Sequence, residues 1–213
     1  MSEFRAPKLL LHIFSANCVF DCEYCYLQGM YPSANIVAFV NVEDFHKAMK
    51  EVLPEKQAFL AVSYDTDLIA FHSIVPYLDY FYGFFRQNQG LLVEIRTKSA
   101  NQSFYREHEP LENIIIAFTL TPDEVIEKYE RHTPKLQARI KAVNTAIARG
   151  FKVRLCFDPI FIDPEIDHVY EPFYRHVFAQ IDPGGIMDIG YGFFRMSGDF
   201  FKRIEKIRSR SLL

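Results

Sequence analysis

Leu9-Leu10-Leu11-His12-Ile13-Phe14 runs through Ser15-Ala16 into Asn17-Cys18-Val19-Phe20-Asp21-Cys22-Glu23-Tyr24-Cys25-Tyr26, and this stretch decides how the chain is read. Its first six residues make an apolar run of strand length. The run leads directly into three cysteines spaced C-x3-C-x2-C, in a loop at the strand's C-terminal end. In parallel α/β folds, functional residues gather at that end. Three thiolates on one short loop can each take one iron of a cubane and leave the fourth iron without a protein ligand. An open metal position suits a chelating substrate, as it does at catalytic zinc. A structural zinc ion is the competing reading, but it asks for four ligands. The fourth cysteine, Cys156, is remote and sits in an apolar run, where a free thiol usually serves as a small hydrophobe. His12 lies upstream in the strand and faces no obvious partner.

The remaining sequence alternates short apolar runs with helical stretches. Residues 42–53 read as a helix with Asn41 as N-cap. Residues 58–63 read as a second strand, and 69–86 as a helix rich in aromatics. Residues 91–96 give a third strand, and 113–120 a fourth, whose Ile114-Ile115-Ile116 suits a buried parallel strand. Residues 134–149 form an amphipathic helix closed by Gly150. A fifth strand over 151–157, a helix over 172–180, a sixth strand over 186–194 and a helix over 198–208 complete the pattern. Strands alternating with helices imply right-handed βαβ units and a parallel sheet. The expected fold is α/β, a partial (β/α)6 TIM-type barrel in a single domain, since a full eight-fold barrel typically needs ~250 residues. A doubly wound sheet is the alternative.

Composition bounds the function. The 213 residues carry a net charge of -3, which lacks the strongly basic footprint of a nucleic-acid binder. Lys202, Arg203, Lys206, Arg208 and Arg210 form the one basic cluster, read as a solvated helix face. No apolar run approaches the ~20 residues that span a bilayer. The N-terminal residues lack a signal-peptide core. Three of four cysteines within eight positions do not resemble a secreted disulfide framework. The expectation is a cytoplasmic protein. The 21 Phe and 12 Tyr, with pairs at 84–85, 193–194 and 200–201, suggest a thick aromatic core.

The C-x3-C-x2-C loop after a first strand resembles the radical SAM superfamily. The segment Cys22-Glu23-Tyr24-Cys25-Tyr26-Leu27-Gln28, with Val40-Asn41-Val42-Glu43 downstream, resembles its spore photoproduct lyase family more closely. Ser63-Tyr64-Asp65-Thr66-Asp67-Leu68-Ile69, Thr97-Lys98, Thr133-Pro134 with Arg139-Ile140, Ala148-Arg149-Gly150-Phe151 and Asp158-Pro159-Ile160-Phe161-Ile162 extend the likeness over about residues 9–205. The resemblance implies a [4Fe–4S] cluster on Cys18, Cys22 and Cys25. It implies that the cluster cleaves S-adenosylmethionine (SAM) reductively, supplied by an electron donor such as flavodoxin or ferredoxin. It places Lys98 at the SAM carboxylate, and Thr66 and Thr119 near SAM. By the same resemblance Tyr24 would lie against the adenine, and Tyr24 and Tyr26 would stand near SAM and in a radical relay. Asp158 would add a carboxylate beside SAM, where the family has a small residue.

Two departures bear on the reaction. Tyr64 stands where the family keeps a hydrogen-donating cysteine; it is either a substitute donor or a sign that the lyase reaction is not completed. The family's C-terminal extension, which holds the DNA lesion, has no counterpart in the sequence. Three readings follow: a radical SAM enzyme with another substrate, a cluster- or SAM-binding accessory protein without turnover, and a DNA photoproduct lyase using Tyr64. His72 reads as a helix-start residue and Glu130-Arg131-His132 as a solvated loop. Asp182-Pro183-Gly184-Gly185 reads as a turn, and Tyr191, Phe194 and Arg195 as strand-end candidates for substrate binding. The open side of a short barrel calls for a partner chain or a homodimer.

Overall fold

The structure, a computed structural model, describes residues 8–11, 13–52 and 58–207. Expectations placed on His12, residue 53, Arg208 and Arg210 fall outside these residues. Six strands form one sheet: β1 (Lys8–Leu11), β2 (Ala58–Ala61), β3 (Leu91–Thr97), β4 (Ile114–Thr119), β5 (Lys152–Ile160) and β6 (Ile186–Phe193). Their spatial order follows chain order, and every neighbouring pair is parallel. β1 and β6 are the two edges, so the curled sheet closes only part of a barrel.

The strand sequences explain the layering. β4 is buried at all six positions, as a central parallel strand covered on both faces must be. In β3, Glu94 and Arg96 alternate with Val93, Ile95 and Thr97; in β5, Arg154 and Asp158 alternate with Val153, Leu155 and Phe157. Period two sends the two sets to opposite faces. The apolar set packs under the helices, mainly Tyr77–Gln87 and Leu136–Ala148. The charged set joins across strands. Arg154 grips Asp188 of β6 with two bonds of 2.5 and 2.7 Å and also donates to Glu94. Arg96 lies 3.5 Å from Glu94 and 3.4 Å from Asp158.

Several boundaries differ from expectation. The helix expected over 69–86 is two helices, Leu68–Phe71 and Tyr77–Gln87. Pro76 stands between them, has no N–H to donate and disfavours helical backbone at Val75. His72 therefore closes the first helix rather than opening one. β1 stops at Leu11, and Ile13 reaches Ser63 only through an antiparallel bridge. β5 runs on to Ile160 with a register shift after Phe157. Short helices at Leu27–Met30, Ser103–Glu107 and Asp123–Tyr129, and a small antiparallel pair, Ser15–Ala16 with Val37–Ala38, had no expectation. Of the phenylalanine pairs, Phe84 and Phe85 are core. Phe193 is 52% exposed and lines a cavity with Phe194, while Phe200 and Phe201 are half-buried.

Candidate functional site

The C-terminal ends of the strands open into a cavity of about 590 Å3, within the usual range for small-molecule sites. Cys18, Cys22 and Cys25 line it. So do Tyr24, Tyr26, Tyr64, Thr66, Lys98, Thr119, Asp158, Phe194 and Arg195, so the residues that sequence nominates for cluster, SAM and relay line one cavity, with two of the three substrate candidates. Tyr191, His72 and Cys156 do not line it.

The cysteine loop is shaped by its neighbours. Asn17 and Asp21 adopt positive φ of 68° and 48°, a conformation that Asn and Asp tolerate best among non-glycine residues. The Asn17 amide donates to the carbonyls of Ser33 and Asn35 at 2.8 and 2.7 Å. The Gln28 amide donates to the Cys22 carbonyl at 2.6 Å. All three cysteines are free thiols. Burial, with the Asp67 charge nearby, pushes the Cys18 thiol up to about 12. Burial also raises Cys22, against the pull of Lys98, and Cys25, against a backbone N–H. Among the described residues, no three His, Cys, Asp or Glu side chains converge as ligands of one ion. A cubane asks for something different, one thiolate on each of three separate irons.

Lys98 follows the end of β3, and its ammonium lies 5.6 Å from the Tyr24 ring centre. Burial works against its charge, but Glu130 and Cys22 outweigh burial and raise its pKa. The ammonium forms no ion pair within the described residues. The strand end is fixed by Asp67, which lies 6% exposed. Its carboxylate accepts from the Lys98 N–H at 2.7 Å, the Thr97 hydroxyl at 2.8 Å and the Ala70 N–H at 2.9 Å. Next to it, the buried Thr66 hydroxyl and one oxygen of Asp65 have no partner. Buried polar atoms are rarely left so, and the Thr66 hydroxyl belongs to a cavity-lining residue.

Tyr26 donates from its hydroxyl to the Tyr64 carbonyl at 2.5 Å, and the two rings lie 5.6 Å apart. Tyr64 is 44% exposed. Thr119 is buried at the end of β4, and Asp158 faces Arg96. The reading of Glu130 as part of a solvated loop is overturned: Arg131 and His132 are exposed, but Glu130 is 0% exposed. Its carboxylate accepts from Tyr24, from Thr121 at 3.1 Å and from Arg139 at 2.5 Å. Sequence reasoning also missed Asp67, whose place just before Leu68-Ile69 is an N-cap signal. It missed the Glu94, Arg154 and Asp188 ladder, which the alternation of charged and apolar residues marks.

A family model described as spore photoproduct lyase matches residues 10–208. The spore photoproduct lyase of Bacillus subtilis (strain 168) is 27% identical over 181 residues, covering 83% of this chain and 52% of that protein. The chain thus spans about half the length of this curated relative. A spore photoproduct lyase variant with bound AdoMet and dinucleoside spore photoproduct superposes with a TM-score of 0.83 at 18% identity, covering 94% of this chain and 61% of that one. Streptococcus suis SuiB bound to S-adenosylmethionine superposes with a TM-score of 0.62 at 12% identity, covering 95% and 47%. Both likenesses concern the fold. No described helix is long and apolar enough to cross a membrane.

Proposed function

Because the chain belongs to the spore photoproduct lyase family of radical SAM proteins, we propose that it holds a [4Fe–4S] cluster on Cys18, Cys22 and Cys25 and uses it to cleave S-adenosylmethionine. The observation that carries this is the shared cavity: three free thiols, the Lys98 ammonium and the unpartnered Thr66 hydroxyl, all at strand ends. The donor set fits the group. Three cysteines leave one iron open for a substrate's amino and carboxylate groups, and relatives of known structure carry AdoMet. The chemistry so supplied is transfer of one electron to SAM, giving methionine and a 5′-deoxyadenosyl radical.

The chain's own residues bind and orient. Lys98 meets the SAM carboxylate through a charge-assisted hydrogen bond. Tyr24 offers its ring to the adenine from a position shared with Lys98. Thr66 supplies a hydroxyl that otherwise stays unpaired, and Thr119 and Asp158 complete the wall. Tyr26 and Tyr64, with rings 5.6 Å apart, are the phenols that would exchange a hydrogen atom with a substrate, and the Tyr26 bond to the Tyr64 main-chain carbonyl holds the two side by side. A flavodoxin- or ferredoxin-type donor supplies the electron, and a partner chain or second copy covers the open side of the curl.

The substrate class is open between a lyase-type DNA lesion and another molecule. The presence of Tyr64 at the donor position favours another substrate. The test is anaerobic turnover of the reconstituted chain with SAM, dithionite and a dinucleoside spore photoproduct. We expect 5′-deoxyadenosine without thymine monomers. Stoichiometric thymine release would establish repair, and no 5′-deoxyadenosine under any condition would leave only the accessory-protein reading.

A further inference from the structure

Tyr129, Glu130 and Arg131 each tie to the cysteine loop. The Glu23 N–H donates to the Tyr129 carbonyl at 2.9 Å. The Tyr24 hydroxyl donates to the Glu130 carboxylate. Arg131 approaches the buried Glu23 carboxylate at 3.3 Å. Behind them stands Arg139, 0% exposed, which grips Glu130 at 2.5 Å and also donates to the Thr119 carbonyl at the end of β4 at 3.2 Å. Thr121 and Thr133 fill the remaining acceptor sites of the carboxylate at 3.1 and 3.2 Å. The loop that carries Cys22 and Cys25 is thereby referenced to the centre of the sheet.

Burying a full ion pair is expensive, and an apolar contact often stabilises a fold as well or better. What a carboxylate adds is direction. It fixes where the Tyr24 hydroxyl points, on a ring that packs edge-on against Phe161 and Phe194. The Lys98 ammonium sits 5.6 Å from the centre of that ring, so a ring held in place also limits where the lysine can go. We propose that Glu130, backed by Arg139, is a positioning residue that sets Tyr24 and Lys98 for S-adenosylmethionine. The proposal rests on the radical SAM reading above.

The test uses full-length Tyr24→Phe and Glu130→Gln, reconstituted without oxygen beside the parent. Iron and sulfide per chain, thermal midpoint, SAM affinity by equilibrium dialysis and the electron paramagnetic resonance change on SAM binding are measured. Tyr24→Phe keeps the ring and removes only the bond to Glu130. We expect parental iron content in both variants and SAM affinity weakened about tenfold or more, as for other groups that orient a ligand-bearing side chain. Glu130→Asp, with charge kept but reach shortened, falls between. A purely structural role would lower the thermal midpoint and leave affinity and spectrum at parental values, and that result overturns the proposal. Where Glu130→Gln fails to fold, Tyr24→Phe decides alone. If the parent itself binds no SAM, the functional reading falls and takes this one with it; parental binding with unaffected variants removes the positioning role alone.

Discussion

At the scale of residues, Cys18, Cys22 and Cys25 share a cavity wall, while Cys156 is 1% exposed within β5 and lies off that wall. Alanine at any of the first three is expected to abolish uptake of a four-iron cluster. Alanine at Cys156 is expected to leave it intact, with a stability loss of about 1 kcal/mol from a small cavity. Absorbance near the charge-transfer band and iron counts check both. The Glu130 carboxylate gives a second expectation. Burial would raise its pKa, but the Arg139 and Lys98 charges outweigh burial and hold it below the usual range. A lowered folded pKa stabilises fully above the unfolded value, about 4.3, and that contribution is lost as pH falls through the folded value. The parent's urea midpoint should therefore fall more steeply on acidification below about pH 5 than that of Glu130→Gln. Arg139→Leu leaves a buried carboxylate uncompensated and should cost about 3–5 kcal/mol in urea unfolding. Why sequence missed this pair is plain in its spacing. Tyr24 and Glu130 are 106 positions apart, and Glu130 is followed by two exposed polar residues, so no local period marks it as buried.

Elements were more legible than contacts. The six strands were each anticipated within a few residues: β4 as a continuous apolar run buried on both faces, the others as short, largely apolar stretches between helical ones. The exceptions have local causes. Pro76 splits one helix, and the register shift after Phe157 carries β5 past its apolar run to Ile160. The helices Leu27–Met30 and Asp123–Tyr129 are too short for a 3.6-residue period to show. Leu27–Met30 nevertheless sets a packing constraint directly after the cysteine loop. A Cβ on Gly29 would come within 2.6 Å of the Phe200 backbone, and Arg203 donates to the Gly29 carbonyl at 3.1 Å. Gly29→Ala should push the helix Gly198–Ile207 away at a cost of about 1–3 kcal/mol. Faster proteolytic cleavage within that helix, with iron uptake retained, is the expected result; unchanged protection would show that the contact relaxes freely.

At the scale of the whole molecule, a curled sheet with two open edges presents one cavity at its C-terminal rim. The sequence made this architecture legible through the alternation of strands and helices and through a cysteine loop placed at the end of the first strand. The alternation of charged and apolar residues marks Glu94, Arg96, Arg154 and Asp188 as one face but not which of them pair, since Arg154 lies 60 positions from Glu94 and 34 from Asp188. Glu94, Arg96 and Asp158 make the cavity polar on the β3 and β5 side, while Leu9 and Leu11 keep the β1 side apolar. A substrate entering the open curl thus meets two chemically different walls. The central claim is cleavage of SAM at the three-cysteine loop. Its most direct measurement is 5′-deoxyadenosine formed by the anaerobically reconstituted, dithionite-reduced chain, with Cys25→Ala as control. The account predicts product from the parent and none from the variant; a parent that loads iron and sulfide yet yields no 5′-deoxyadenosine, or a variant that yields as much as the parent, would contradict it.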